Sequence, residues 1–203
     1  MNRTDMILTL FLDKTPIVGA TRLQKLIFLV EKEGGEAVST EQFEFEAYKF
    51  GPFSKQLKDD MDFLINLGFL EKSNDEKINP ITITDDNIDT ITAKDILSDK
   101  SDSTKRYAVG EDFEQETNLL NPDDYKAIND LYAEDWEDNV VFKITKKGIE
   151  HLDGHNMKND EGVKTITKIK KKYGNLPLFN LLQYVYSKYP DYATESEIKD
   201  KIK

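Results

Sequence analysis

The sequence predicts a mainly α-helical protein with a small antiparallel sheet, an α+β fold. Three observations predict it. Broad apolar stripes at helical spacing recur over residues 23–30, 55–67, 161–173 and 176–189. Two short stretches, 69–72 and 140–144, have the character of strands. The elements run helix, helix, strand, helix, strand, a long acidic excursion, strand, and then helices.

Residues 5–12 are apolar enough for a short helix, with Thr4 as its cap, and Thr15-Pro16 breaks it. Thr21-Arg22-Leu23-Gln24 has the form of a capping box: the Thr21 hydroxyl accepts from the third helical N–H, and Gln24 reaches back to the cap. Leu23, Leu26, Ile27 and Val30 follow at helical spacing, with Phe28 and Leu29 widening the stripe. So broad a stripe belongs to a central, largely buried helix, which Gly34-Gly35 ends. Residues 43–50 open with strict alternation and are rich in aromatics, the pattern of a half-exposed strand. Gly51-Pro52-Phe53 reads as a turn. Ser54 caps a helix over 55–67 with Leu57, Met61, Leu64 and Ile65 inward, and Gly68 supplies a positive-φ stop.

Residues 72–104 are polar, with a Thr/Ile-rich stretch (Ile81, Ile83, Ile88, Ile91) that fits a strand or an extended loop. A short strand is expected over 105–109. Asn121-Pro122-Asp123-Asp124 is a helix start, with acids beside the positive dipole end. Thr145 caps a helix over 146–152 that Gly154 closes. Val163, Ile166, Ile169 and Tyr173 line one side of a basic amphipathic helix over 161–173. Leu178, Leu181, Leu182, Val185, Tyr186 and Tyr189 form the next apolar face, stopped by Pro190. Thr194-Glu195-Ser196-Glu197 resembles a capping box opening a terminal helix.

Helix–strand–helix–strand–strand is the order of a winged helix. Its wing strands would be 69–72 and 140–144, and more than sixty residues separate them, where an ordinary hairpin uses ~2–5. The expected organisation is a winged-helix-like core from 1–73 and 139–153, an acidic insertion in the wing at 74–138, and a helical carboxyl-terminal part at 154–203.

Composition narrows the function. The chain has 203 residues, 38% of them apolar, enough for a sizeable core. The absence of Cys removes disulfides, thiolate metal sites and Cys nucleophiles, and fits a reducing cytoplasm. No run approaches the ~18 apolar residues of a membrane span, and the amino end lacks a signal-peptide layout. No membrane partner is expected. The 28 Lys+Arg against 39 Asp+Glu give a net charge of −11, which disfavours general nucleic-acid binding. The charge is uneven: net −3 over 1–73, −13 over 74–141 and +5 over 142–203. The middle third is a solvated insertion, or an acidic surface that docks on a basic partner or mimics nucleic acid.

Few residues carry chemistry. His151 and His155 lie four apart, a spacing that chelates a metal on one helix face. No third ligand is evident and Gly154 intervenes, so no metal is expected and both histidines read as exposed. No Ser, His and acid group together, and no Gly-rich phosphate loop occurs. Asp75-Glu76-Lys77 has the tail of a two-carboxylate nuclease core without the sheet and earlier acid such a core needs, and reads as a solvated turn. Neither catalysis nor a cofactor is expected.

In a winged helix, the helix over 55–67 would read DNA. Its outward residues, Lys55, Gln56, Lys58, Asp59, Asp60, Asp62 and Asn66, suit phosphates poorly. Only its start is basic: Ser54, Lys55 and Lys58, with Lys49 nearby. Lys164, Lys168, Lys170, Lys171 and Lys172 make a second basic run, a solvated face or a site for an acidic partner. The aromatics Phe43, Phe45, Tyr48, Phe50 and Phe53 pack a sheet edge or form a docking surface.

Three pieces taken together resemble a known family. They are Arg22-Leu23-Gln24-Lys25-Leu26-Ile27-Phe28-Leu29, Tyr48-Lys49-Phe50-Gly51-Pro52-Phe53-Ser54, and Leu64 followed by Leu67-Gly68-Phe69-Leu70. This pattern resembles the Panacea/SocA-like antitoxin domain and the related YwgA-like proteins, over about residues 5–72. Phe142-Lys143-Ile144-Thr145-Lys146-Lys147-Gly148 is similar to the strand-to-helix ending of winged-helix regulators. The match departs where SocA-like proteins often carry Trp before Tyr-Gly-Pro and this chain has Tyr48-Lys49-Phe50, and in the acidic excursion. The resemblance implies a non-enzymatic antitoxin-like role: neutralising a partner protein, such as a cognate toxin, by direct binding, sometimes from phage-associated loci. In the physical reading, Gln24 caps, Lys25 projects outward, Gly51 permits a turn and Ser54 caps. The expected partner- or DNA-binding residues are Lys25, Lys49, Ser54, Lys55 and Lys58. The alternative function is a winged-helix DNA-binding transcription regulator.

Overall fold

The computed structural model describes residues 1–35, 38, 41–74, 140–155 and 160–202. The Thr/Ile-rich stretch, the strand expected over 105–109, the helix start at Asn121 and the Asp75-Glu76-Lys77 turn lie outside the described residues. Six α-helices and five short strands are described: α1 (Arg3–Thr9), β1 (Ile17–Val18), α2 (Ala20–Gly34), β2 (Glu46–Tyr48), β3 (Gly51–Phe53), α3 (Lys55–Asn66), β4 (Leu70–Asn74), β5 (Val140–Ile144), α4 (Lys146–Gly154), α5 (Glu161–Tyr173) and α6 (Leu178–Lys188). The fold is mainly α with a small antiparallel sheet, as the sequence predicts.

One sheet has the order β1-β5-β4, all antiparallel, with Ile17 opposite Phe142 and Leu70 opposite Ile144. The strand before α2 therefore pairs with β5, which lies between β1 and β4. Asn74 faces Val140, so the acidic segment leaves and re-enters at one end of this ladder. A second hairpin, β2–β3, lies between α2 and α3.

Several local readings need correction. Asn2, not Thr4, caps α1: its Oδ1 accepts from the Asp5 N–H at 2.8 Å, and the helix starts two residues earlier. Thr21 does not cap α2, whose N-cap is Gly19. Gly51-Pro52-Phe53 is strand β3, and the reversal falls at Lys49-Phe50. The strand expected over 43–50 shrinks to β2 because Phe43 (4% exposed) turns into the core. The segment after Thr194 forms a short 3-10 turn at Lys199–Lys201 rather than an α-helix. Ser54, Thr145 and Gly68 do as expected. The Ser54 and Thr145 hydroxyls accept from the N–H groups of Leu57 (3.1 Å) and Gly148 (3.2 Å), and Gly68 has φ 72°.

The core is built around α2, where Leu23 and every residue from Leu26 to Val30 is buried. The apolar faces of α5 (Ile166, Ile169, Tyr173) and α6 (Leu178, Leu181, Leu182, Val185) are buried in the same core, and Val163 is buried as well. Arg22 donates to the carbonyls of Gly174 (3.0 Å) and Leu176 (2.6 Å), fastening the α5–α6 loop. At the other end of α2, Glu33 accepts from the Tyr173 and Tyr184 hydroxyls (2.8 and 2.7 Å) and from Lys188 Nζ (3.0 Å). Burial raises the Glu33 pKa, but these donors outweigh it and hold the carboxyl below its ordinary range. Because Leu182 is fully buried, Leu182→Ala is expected to cost ~2–5 kcal/mol in a urea melt through cavity formation.

Candidate functional site

The motif residues around α2 turn inward and hold the β2–β3 hairpin. Gln24 reads the backbone of Ser54 twice: its Nε2 donates to Ser54 O and its Oε1 accepts from Ser54 N, both at 3.0 Å. Lys25 is only 2% exposed, and its ammonium donates to Pro52 O at 3.0 Å. The expectation that Lys25 projects outward is therefore wrong. The hairpin folds over this side of α2, and helical phase alone does not reveal that cover. Gly51 (φ 82°) meets the Tyr186 ring so closely that a Cβ would lie 2.5 Å from Cε1, so both conformation and space demand glycine there. Glu31 accepts a hydrogen bond from the Phe43 N–H, anchoring the chain before β2.

The other expected contact residues divide. Ser54 is fully buried, so its side chain serves the α3 cap and offers no surface. Lys49 is partly exposed and lies 3.8 Å from Glu197. Lys55 and Lys58 are exposed. Asp60, expected on the outward face, pairs instead with Arg3 of α1 at 2.8 Å. The aromatic cluster splits: Phe43 and Phe50 are buried, Phe45 stacks edge-on to Phe28 at 5.2 Å, and Tyr48 is 39% exposed beside Phe53. In the basic helix α5, Lys164, Lys168 and Lys171 are exposed. Lys170 is not part of a solvated face. It is 7% exposed and donates to Asp13 Oδ1 (2.6 Å) and Thr15 O (3.1 Å). Burial pushes its pKa down against the pull of Asp13.

Two features carry functional information. The first is the outer face of α3. Lys55, Lys58, Asp59, Asp62, Phe63 and Asn66 follow one another at helical spacing and are all exposed. Leu67, just past the helix, continues the stripe. Phe63 is 57% and Leu67 38% exposed, large apolar side chains left in water. The sequence reading missed both, although Phe63 follows Asp59 by four residues and so shares its face.

The second is a cluster joining α1 to α4. Asp5 Oδ1 lies 3.1 Å from His151 Nε2, and Asp5 Oδ2 lies 3.1 Å from His155 Nδ1. The carboxylate is the third group that the histidine spacing lacked. It comes from the other end of the chain, so no local pattern reveals it. These three residues could hold a metal ion, their ligand atoms all lying within 4.8 Å of one another. The hollow beside Lys25, Tyr48 and Phe53 has ≈ 10 Å³, room for about one water.

No family model, curated protein or solved structure matches this chain. No helix among the described residues is long and apolar enough to cross a membrane.

Two outcomes are expected. Gln24→Ala orphans the buried Ser54 N–H, while Ser54 O keeps the Lys58 N–H, and should destabilise by ~1–3 kcal/mol, read in a urea melt against a Lys55→Ala control. Burial pushes the Glu31 carboxyl from 4.5 up to about 7, although the Phe43 N–H and the charges of Lys32 and Arg3 oppose it. The folded chain thus keeps a proton that the unfolded chain releases near 4.5. This contribution to stability is complete below that pH and is lost as pH rises through about 7. Glu31→Gln should flatten the fall in urea midpoint between about pH 5 and 8.

Proposed function

We propose that the protein is a non-enzymatic, antitoxin-like or regulatory protein of the cytoplasm that acts by binding a partner protein on the outer face of α3. One observation carries this reading. The helix that a winged-helix reader would lay against phosphates instead presents, from start to end, Lys55 and Lys58, then Asp59 and Asp62, then Phe63 and Leu67. Carboxylates in that stripe repel a phosphate backbone, and a half-exposed Phe gains nothing from one. A protein partner uses all three: charges of both signs set register, and an aromatic side chain anchors in a pocket. The resemblance of the α2, β3 and α3 motifs to the Panacea/SocA-like domain supports the antitoxin form, with a cognate toxin as partner.

The competing reading, DNA recognition, draws on the winged-helix-like connectivity and the basic first turn of α3. The two separate by mutation. Phe63→Asp with Leu67→Asp alters exposed side chains and should leave the fold intact. It is expected to weaken, by about tenfold or more, the binding of the partner recovered from native cells and re-measured with purified components. Lys55→Glu with Lys58→Glu should change mainly its salt dependence. The protein-partner reading fails if the wild type binds duplex DNA tightly at low salt, the lysine pair abolishes that binding, and the Phe63/Leu67 pair does not.

A further inference from the structure

We propose that Asp5, His151 and His155 form a binding site for one divalent transition-metal ion of the zinc type, clipping α1 to α4. The proposal is independent of what α3 binds. Two imidazole nitrogens and a carboxylate oxygen are a donor set that zinc, cobalt and nickel ions accept. Each Asp5 oxygen lies 3.1 Å from one imidazole nitrogen, and one ligand atom from each residue lies within 4.8 Å of the others, so a small closure brings them to the roughly 3.3 Å between ligand atoms around a tetrahedral ion with bonds of ~2.0–2.1 Å. His151 in the last turn of α4 and His155 at its C-cap both bring a ring nitrogen to Asp5 of α1.

The electrostatics point the same way. Asp5 is 5% exposed, and each of its oxygens meets an imidazole nitrogen. Among the described residues no Lys or Arg pairs with it. A buried carboxylate facing two imidazoles has its charge unbalanced when both rings are neutral, and a divalent ion supplies the balance. The cluster opens to solvent on one side: the side chains of His151 and His155 are 26% and 45% exposed against 8% for Asp5. Three protein ligands with a wet side leave at least one position for water, and give the ion a path in.

The clip has a structural consequence. Arg3, two residues before Asp5, pairs with Asp60 of α3, and the His151 ring lies 4.9 Å from Phe69 at the start of β4. An ion at this point holds together the amino-terminal helix, the helix after the wing and, through Arg3, the inner side of α3.

The chain makes the test clean. It has two histidines, both in this cluster, and no cysteine, so an ion held by nitrogen ligands has no other place to sit. Untagged full-length protein, stripped with chelator, is titrated with Zn²⁺ by calorimetry and with Co²⁺ by visible absorption. The expected result is about one ion per chain, a Co²⁺ spectrum showing imidazole ligation at low coordination number, and a thermal midpoint that rises with added Zn²⁺. His155→Ala, at an exposed position, should fold normally and bind at least ~10–100-fold more weakly. His151→Ala with His155→Ala should abolish both the spectrum and the thermal shift. Absence of metal uptake by the wild type overturns the proposal. So does uptake that the double variant retains, which would place the ion on surface carboxylates.

Discussion

Everything described in this protein hangs on one buried helix, five of whose polar side chains reach backbone or partners that satisfy them. In α2, Leu23 and Leu26 to Val30 supply the apolar burial. Arg22, Gln24, Lys25, Glu31 and Glu33 each fasten a different piece of chain to it: the α5–α6 loop, the start of α3, β3, the approach to β2, and the pair α5 and α6. Burying so many polar groups is tolerable only when each finds its partner. That requirement makes the arrangement specific: an alternative packing of α2 would strand an ammonium, an amide and two carboxylates at once.

This explains why Gln24, Lys25 and Ser54, in the most recognisable stretches of the sequence, are buried. Leu-Gln-Lys-Leu and the Gly51-Pro52 pair read as a motif because Gln24 and Lys25 need backbone carbonyls at fixed places, which Pro52 and Ser54 supply. Pro52 suits the position, since Lys25 uses only its carbonyl. The motif builds a platform. On the proposed reading, recognition falls to the outer face of α3, whose inner face is committed to the core through Leu57, Met61 and Leu64.

Much of the fold was legible because periodicity reports burial directly. Most of the predicted apolar faces of α3, α5 and α6 are buried, with Ile65 and Tyr189 only partly so, and β4 pairs with β5. What the sequence concealed came from long-range cover. Lys25 and Lys170 look like solvated cations, and each is buried by a segment distant in sequence, the β3 strand in one case and the Asp13–Thr15 turn in the other. Asp5 looks like an ordinary first-turn acid until α4 lays two imidazoles against it. Short-range rules erred where two candidates competed: Asn2 displaced Thr4 as the cap of α1, and Gly19 displaced Thr21 at α2.

The charge distribution bears on what the outer face of α3 can meet. The β4–β5 ladder joins Leu70–Asn74 to Val140–Ile144, and residues 74–141 carry 19 acids against 6 basic residues. A duplex brought to α3 would approach a domain whose tethered segment repels it, and Asp59 and Asp62 would add close-range repulsion that salt screens only in part. Neither feature alone decides the matter, since a local basic face can bind DNA on an acidic protein. Together with Phe63 left in water on the same face, they favour an occupant that brings apolar surface and charges of both signs, which is the chemistry of another protein.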